Sequence, residues 1–226
     1  MNPEAGTALI VFSKAPEIAK HRLADEIGRA EATHTASLLL DDALVRGRAA
    51  ALAPRYLYWD GPPTHPSLSE AVALGYTSVP QAGGDLGERM ANALSEVLNA
   101  NANANANAKA LLIGTDCPDL DADALNRAAA ALTAHDAVLA PARDGGYVLV
   151  GLNRHALPHL HELFVGIAWG AAEVADITRR RMTACGLKFS ELPPLEDLDR
   201  YADLDRLARR HPFLARVRFR ERKSAG

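Results

Sequence analysis

Cysteine residues are scarce in this chain of 226 residues. The two that occur, Cys117 and Cys185, lie far apart, which argues against a disulfide framework and against a zinc site built from four cysteines. Thiols that stay reduced are typical of proteins in the cytoplasm. We therefore expect a cytoplasmic protein whose fold depends on an apolar core rather than on covalent links.

Long apolar runs and a strong net charge are also missing. No stretch approaches the ~20 apolar residues that a membrane helix needs, and the first residues lack the basic region of a secretory signal. The formal charge of -3 gives no reason to expect nucleic acid or a membrane surface as a partner. The absence of His-Glu-x-x-His and Gly-x-Ser-x-Gly motifs argues against a zinc site of that type and against a serine hydrolase.

The chain does have the length and apolar content of one α/β domain, since hydrophobic residues make up 48% of it. We expect this domain to cover residues 1–211. A low-complexity Asn-Ala tract at 99–108 lies inside it and has no predicted chemical role. Residues 212–226 are basic and polar, and we expect them to form a solvated tail.

Short β-type runs alternate with segments of helical periodicity, which is typical of βαβ units around a parallel sheet. The predicted strands cover residues 7–13, 55–60, 77–81, 109–114, 136–142, 146–152 and 187–192. The predicted helices cover residues 32–52, 86–98, 122–132 and 171–185. Two strands follow each other directly at residues 143–146, so we predict a mixed, mostly parallel sheet with one antiparallel excursion.

The segment LLIGTDCPDL (111–120) ends a predicted buried strand on carboxylates. Ligands of open α/β sheets bind outside the carboxyl ends of the strands, so Asp116 is expected at a ligand site. A stiff acidic turn suits Mg²⁺ or Mn²⁺, which bind carboxylate and phosphate oxygens together. The helix predicted to begin near Ala122 needs an N-cap, and we favour this role for Asp121 and also for Asp119. Asp116 lies too far ahead to be a cap.

The segment PARDGGY (141–147) lies between two predicted strands. Asp-Gly between β-type runs indicates a hairpin turn, which is the simpler interpretation. The paired glycines Gly145 and Gly146, preceded by Asp144, also permit close approach of a ligand to the backbone. Both roles are compatible, because the turn would follow the carboxyl end of a strand.

The glycine-rich segment QAGGDLGERM (81–90) runs into a predicted helix, whose first N–H groups favour an anion. It matches neither the P-loop nor the dinucleotide-binding motif. Gln81, Asp85 and Arg89 are the candidate nucleotide-binding residues here. Asp85 and Glu88 also have the spacing of a capping box, which would leave Gln81 and Arg89 for the ligand.

The segment SKAPEIAKHRLAD (13–25) concentrates basic residues after the first strand. Lys14 and Lys20 as point charges, and Arg22 with its forked contacts, could hold a polyphosphate there. An ordinary basic helix start is the alternative. The late acidic segment LPPLEDLDRYADLDRL (192–207) is mostly a solvated helix start, but it is the best remaining source of a second metal-binding carboxylate.

In their order along the chain, these stretches resemble the nucleotide-diphospho-sugar transferase superfamily, which has the GT-A fold. Within it the chain is similar to the small bacterial DUF2064 family, also described as arsenosugar-biosynthesis-type glycosyltransferases. The resemblance spans residues 9–204 and rests on the motifs LIVFSKAP, KHRL, GGDLGERM, LLIGTDCPDL, APARDGGYVLVGL, LFVGIAW and LPPLEDLDRYADL. It implies a single-domain GT-A fold.

The resemblance also implies roles for individual residues. Asp116 matches the metal-binding acid at the end of the central strand, and Asp199 matches the second metal ligand. The residues that match the basic loop around the nucleotide phosphates are Lys14, Lys20 and Arg22. The residues expected on the acceptor side are Asp144, Gly145, Gly146 and Trp169. Two departures from the family pattern are His21 in place of a threonine, and Gly170-Ala171 in place of a Ser-Thr pair.

The leading hypothesis is a transferase that uses Mg²⁺ or Mn²⁺, a nucleotide-diphospho-sugar donor and a small-molecule acceptor, with Asp144 as the candidate base. One alternative keeps the fold and joins an NTP to a phosphorylated or carboxylated acceptor, with release of pyrophosphate. The other is an inactive nucleotide-binding protein. The expected partners are therefore a nucleotide or nucleotide-sugar and a small acceptor, and the sequence leaves a homodimer open.

Overall fold

The computed structural model describes residues 6–102 and 108–217 of the chain. These residues form one mixed sheet of seven strands flanked by helices, which confirms the predicted α/β class. The strands are β1 (Thr7–Lys14), β2 (Arg55–Asp60), β3 (Thr77–Pro80), β4 (Lys109–Ile113), β5 (Ala137–Pro141), β6 (Tyr147–Asn153) and β7 (Phe189–Glu191). Each predicted strand segment corresponds to one of them.

The strand order is β3-β2-β1-β4-β6-β5-β7. β1 pairs in parallel with β2 and β4, so that Ile10 lies opposite Tyr56 on one side and Leu112 on the other. β6 runs antiparallel to both β4 and β5, which confirms the predicted excursion. The carboxyl ends of β1 to β5 therefore meet at one edge of the sheet, where β6 begins.

The helices cover both faces of this sheet. They are α1 (His21–Ile27), α2 (Arg29–Ala49), α3 (Pro66–Ala73), α4 (Leu86–Ala102), α5 (Ala122–Ala131), α6 (Leu160–Phe164), α7 (Val174–Ala184) and α8 (Tyr201–Ala208). Alternate residues of β1 point to opposite faces: Ile10 packs in a cluster with Leu94 of α4, and Leu9 in a cluster with Leu44 of α2. β1 is consequently buried from Thr7 to Ser13, as expected of a central parallel strand.

The sequence pattern identifies the longer helices α2, α4, α5 and α7, but not the short helices α1, α3 and α6. A helix of one or two turns presents too few apolar positions for its period to stand out. None of the helices in the described residues has the length and apolar character needed to cross a bilayer.

The end of the described chain packs against the domain. Leu214 and Val217 are buried in a third apolar cluster with Leu23 of α1 and Leu204 of α8. The packed region thus continues past residue 211 into the segment predicted as a tail. Residues 103–107 of the Asn-Ala tract, and residues 218–226, lie outside the described residues, so the predictions made for them stay untested.

Candidate active site

A cavity of about 430 Å³ lies at the sheet edge where β1, β3, β4 and β5 end and β6 begins. Ligands of open α/β sheets bind at this position. Its lining includes the predicted site residues Lys14, Lys20, Gln81, Asp116, Asp144, Gly146 and Trp169. The predicted residues Arg22, Asp85, Arg89, Gly145 and Asp199 are not among the lining residues.

Asp116 is held by the turn that follows β4. Its carboxylate is about half exposed, and the Thr115 hydroxyl donates a hydrogen bond of 3.2 Å to its Oδ1 atom. The guanidinium of Arg46 on α2 donates to the carbonyl of Leu120 and so anchors the far side of this turn. Gly114 lines the cavity, and a Cβ there would meet nothing within 4 Å, so no contact within the protein requires glycine at this position.

Lys20 is the basic residue closest to Asp116. Its side chain is 3% exposed, and its Nζ atom lies 2.8 Å from Asp116 Oδ1 and also donates to the carbonyl of Leu198. Lys20 has φ 53°, in the left-handed region that L-residues other than asparagine and aspartate rarely adopt. The backbone at Lys20 is therefore in a costly conformation that tertiary contacts maintain.

The acidic segment after β7 joins the site through the backbone. The N–H of Leu198 donates to the carbonyl of Asp116 at 2.8 Å, and the buried side chain of Leu198 anchors the contact. Asp197, next to it, lines the cavity. Burial, together with the negative charges of Asp144 and Asp116, raises the pKa of Asp197 to about 6. Three carboxylates thus share one cavity.

Asp197 is the residue that sequence reasoning did not single out within this acidic segment. Asp199, which the family resemblance indicates, instead pairs with Arg22, and its Oδ2 lies 2.7 Å from the guanidinium Nη1. Both side chains of that pair are more than one third exposed. The only local signal for Asp197 is its position beside the apolar Leu198, which Asp199 shares.

The turn between β5 and β6 is the predicted hairpin, and it presents Asp144 to the cavity. The N–H of Gly146 donates to Asp144 Oδ1 at 2.9 Å, which fixes the orientation of the carboxylate. Gly145 has φ 94°, and a Cβ there would lie 1.9 Å from the carbonyl oxygen of Ala172. Gly145 is therefore required for packing against the segment that follows Trp169, whereas Gly146 lines the cavity.

The glycine-rich segment before α4 mainly serves the protein's own structure. Asp85 Oδ1 accepts the N–H of Glu88 at 2.9 Å, and Glu88 in turn accepts the N–H of Gly84, close to the predicted capping box. Arg89 pairs with Asp60 at 2.8 Å. Of this segment's candidates, Gln81 alone lines the cavity.

Gln81 itself bridges two strands. Its Nε2 atom donates to the carbonyls of Ser13 and Tyr58, at 3.0 Å each. These bonds connect the ends of β1 and β2 and hold the amide in place. A ligand contact of Gln81 would therefore involve its carbonyl oxygen, which is an acceptor.

The neighbouring acids Asp119 and Asp121 have structural roles. Asp121 Oδ1 accepts the N–H of Ala124 at 2.7 Å, which confirms the predicted N-cap of α5. Asp119 is not a cap, because its carboxylate binds His211 Nε2 at 2.7 Å and Arg210 Nη2 at 2.8 Å. It ties the turn after β4 to the residues that follow α8.

Cys117, between the acids, offers no thiolate. Burial raises the pKa of its thiol to about 12, so the group is neutral near pH 7. A buried thiol that keeps its proton is a poor nucleophile. The groups available for chemistry in the cavity are therefore its carboxylates and ammonium groups, together with the imidazole of His21 in the lining.

The donor set fits a hard divalent cation. Mg²⁺ and Mn²⁺ bind carboxylate oxygens together with substrate phosphates. Asp116 and Asp197 come from segments that touch through their backbones, and burial, followed by the negative charges of Asp144 and Asp116, raises the pKa of Asp197. A divalent cation would relieve that charge.

The fold, a mostly parallel seven-stranded sheet flanked by helices, matches structures of the nucleotidyl- and glycosyltransferase type. The chain is similar to a protein from Desulfovibrio desulfuricans G20 described as a "putative nucleotide-diphospho-sugar transferase". The two have 29% identity and a TM-score of 0.78, over 90% of this chain and 87% of that one.

Two more distant structures share the fold alone. CMP:2-keto-3-deoxy-manno-octonic acid synthetase complexed with CTP has 11% identity and a TM-score of 0.53, over 90% of this chain and 97% of that one. A Mycobacterium tuberculosis H37Rv protein crystallised with manganese has 15% identity and a TM-score of 0.51, over 89% of this chain and 97% of that one. No curated protein sequence matches the chain significantly.

The chain belongs to the DUF2064 family, described as "uncharacterized protein conserved in bacteria", whose family model matches residues 43–171. The matched range includes β4, the hairpin at Asp144 and the segment of Trp169. The family resemblance found in the sequence is thereby confirmed.

Proposed function

We propose that the protein is a metal-dependent transferase that moves a sugar from a nucleotide-diphospho-sugar to a small-molecule acceptor. The observation that carries this proposal is the convergence of Asp116, Asp197 and Lys20 in one cavity at the carboxyl ends of the strands. Acids at this place suit a cation, and a cation with nearby ammonium groups suits a diphosphate.

Asp116 and Asp197 would hold Mg²⁺ or Mn²⁺, with Asp116 supplying the more exposed carboxylate. When bound, the ion would neutralise charge on the diphosphate that leaves the sugar. Asp199 already pairs with the guanidinium of Arg22. Its proposed role is therefore to hold Arg22 in place and not to bind the ion.

The two lysines would act differently. Lys14 is exposed at the end of β1 and lines the cavity, so its ammonium can approach the nucleotide phosphates as a mobile point charge. Lys20 is buried and already bound to Asp116. It would orient that carboxylate and add a fixed positive charge beside the diphosphate, where developing negative charge is stabilised.

Asp144 is the proposed base. Its Oδ1 is bound to the Gly146 N–H, so Oδ2 would accept the proton of the acceptor hydroxyl while the new bond to the sugar carbon forms. The bond from that carbon to the diphosphate breaks in the same step. Tyr147 and Trp169, with ring centroids 6.1 Å apart, form the apolar wall on this side of the cavity.

The test is a panel of UDP-, GDP-, CDP- and TDP-linked sugars, each measured by thermal shift with and without Mn²⁺. The matching donor should raise Tm in a metal-dependent way, following RT ln(1 + [L]/Kd). Asp116→Asn should abolish the metal-dependent part of the shift. Asp123→Asn removes an exposed carboxylate on α5 that does not line the cavity, and should leave the shift intact.

Nucleoside diphosphate release in the presence of candidate acceptors then measures transfer itself. Release of pyrophosphate from an NTP, without sugar transfer, would favour nucleotidyl transfer in the same cavity instead. If no nucleotide or nucleotide-sugar shifts Tm in the presence of Mn²⁺, the proposed enzyme activity is wrong.

A further inference from the structure

A second group of metal-binding side chains lies away from the cavity, where α6 begins and α7 ends. It consists of His159, Glu162 and Cys185, none of which lines the cavity. One ligand atom from each of the three lies within 4.8 Å of the other two. The transferase reaction proposed above makes no use of these residues.

The distances within this group are close to those of a coordination site. His159 Nδ1 lies 3.5 Å from Glu162 Oε2, and Cys185 Sγ lies 3.2 Å from the same oxygen. Tetrahedral zinc, with bonds of about 2.0 to 2.3 Å, separates its ligand atoms by roughly 3.3 to 3.8 Å. Only small rotations of the side chains would therefore be needed to surround an ion.

The chemistry of the donors also selects a class of metal. The Cys185 thiol donates to Glu162, and a bound ion would displace that proton. The resulting thiolate, with an imidazole and a carboxylate, suits Zn²⁺ and related transition metals, whereas Mg²⁺ prefers oxygen ligands alone. His159 is the N-cap of α6 and Glu162 lies in the first turn of that helix, so both residues belong to the same helix end. Glu162 is exposed, so water can complete the coordination.

The backbone around the group is held in place without the metal. Arg181 of α7 donates through Nη1 to the carbonyl of Glu162 at 2.8 Å and to the carbonyl of Val165 at 2.7 Å. α6 is thus tied to α7, and Cys185 follows directly at the end of α7. Ligands that come from two helices joined in this way lose less conformational freedom when they bind an ion.

We propose that His159, Glu162 and Cys185 form a binding site for one Zn²⁺-class ion that links α6 to α7. The loop between these helices carries Trp169 and Gly170, both in the cavity lining. The site would therefore stabilise the segment behind the cavity wall. It is independent of the proposed transferase activity and can be tested separately.

The test uses the full chain after treatment with a chelator, titrated with Zn²⁺ by calorimetry in excess Mg²⁺, which occupies oxygen-rich sites. We expect one equivalent of Zn²⁺ to bind, and at least about tenfold weaker binding in Cys185→Ser and in His159→Gln. His161→Gln removes a neighbouring histidine outside the group and should bind as the wild type does. The double variant Asp116→Asn/Asp197→Asn should also keep this binding.

Cobalt gives a second readout that reports the thiolate ligand directly. Co²⁺ bound to the group should show a thiolate charge-transfer absorption, which Cys185→Ser should lack. The proposal is overturned if wild-type protein shows no such absorption, if Cys185→Ser binds Zn²⁺ unchanged, or if the double variant of the cavity acids loses the binding.

Discussion

The Nζ atom of Lys20 lies 2.8 Å from Oδ1 of Asp116, although the two residues follow different strands. The same ammonium donates to the carbonyl of Leu198, whose N–H donates to the carbonyl of Asp116. One buried lysine therefore joins the ends of β1 and β4 to the late acidic segment. This contact gathers the parts of the proposed site from three distant regions of the chain.

The two lysines of the cavity should respond differently to substitution. Lys20→Met removes the donor to Asp116 and to the Leu198 carbonyl, so we expect a loss of about 1 to 2 kcal/mol in the free energy of unfolding. Lys14 is exposed, so Lys14→Met should change stability by less than about 0.5 kcal/mol. Urea denaturation measures both. Equal stability losses would contradict the distinct roles assigned to them.

Substitutions of Asp197 and Asp199 form a matched pair of variants that test which residue binds the metal. If Asp197 holds the metal, Asp197→Asn should lower kcat/KM at least about 100-fold, of the size seen when a group that stabilises transition-state charge is removed. Asp199→Asn affects an exposed pair with Arg22 and should cost less than about fivefold. Steady-state kinetics with the matching donor decides between them. If Asp199→Asn instead lowers kcat/KM more than Asp197→Asn does, Asp199 is the second metal ligand.

The stability of the protein should depend on pH through Asp197. Its pKa of about 6 in the fold, against 3.8 otherwise, means that the folded state keeps a proton that the unfolded state loses. The raised pKa therefore adds to the free energy of unfolding at pH values below about 3.8. This contribution is lost as the pH rises from there towards 6. Asp197→Asn should be more stable than the wild type at pH 7 by about 1 kcal/mol, after allowance for solvent screening.

This difference should shrink steadily towards pH 4, where the folded state keeps the proton on Asp197 and the unfolded state also begins to bind it. Thermal unfolding in a chelator, at pH 4, 5, 6 and 7, provides the measurement. A constant difference between the variant and the wild type over this range would show that the titration of Asp197 does not affect folding.

Gly145 should be far less tolerant of a side chain than Gly170. Both have positive φ, 94° and 89°, so alanine is strained at either position by roughly 1 kcal/mol. At Gly145 the new Cβ would also lie 1.9 Å from the Ala172 carbonyl, whereas at Gly170 it would meet nothing within 4 Å. We expect Gly145→Ala to cost about 3 kcal/mol or more and Gly170→Ala about 1 kcal/mol. Equal values in chemical denaturation would argue against the close packing of the hairpin on this segment.

Asp119 should contribute to stability and little to catalysis. Burial opposes its charge, but hydrogen bonds from His211 and Arg210 outweigh this and lower its pKa. Asp119→Asn leaves both donors without their charged acceptor, so we expect a loss of about 1 to 2 kcal/mol. Asp123→Asn, on the exposed side of α5, is the control. A large fall in kcat without loss of stability would instead place Asp119 in the active site.

The strand positions and the edge of the sheet that carries the site follow from the sequence. Apolar runs such as residues 110–113 are buried within a covered sheet, and the chain reaches the surface where they end. Asp116 and Asp144 are polar residues directly after such runs, so local pattern alone is enough to bring them to one edge. The hairpin glycines likewise indicate the antiparallel strand.

Tertiary structure decides which of the neighbouring charges belong to the cavity. Asp197 and Asp199 stand on either side of the same buried leucine, and no local pattern distinguishes them. The packing of α1 brings Arg22 to Asp199, and the two side chains form an ion pair. The hydrogen bond from the Leu198 N–H to the Asp116 carbonyl places the neighbouring Asp197 in the cavity lining. The burial of Lys20 depends on the same long-range contacts. Charge pairing between distant segments is a property of the folded chain, because each partner's position is set only when the helices have packed.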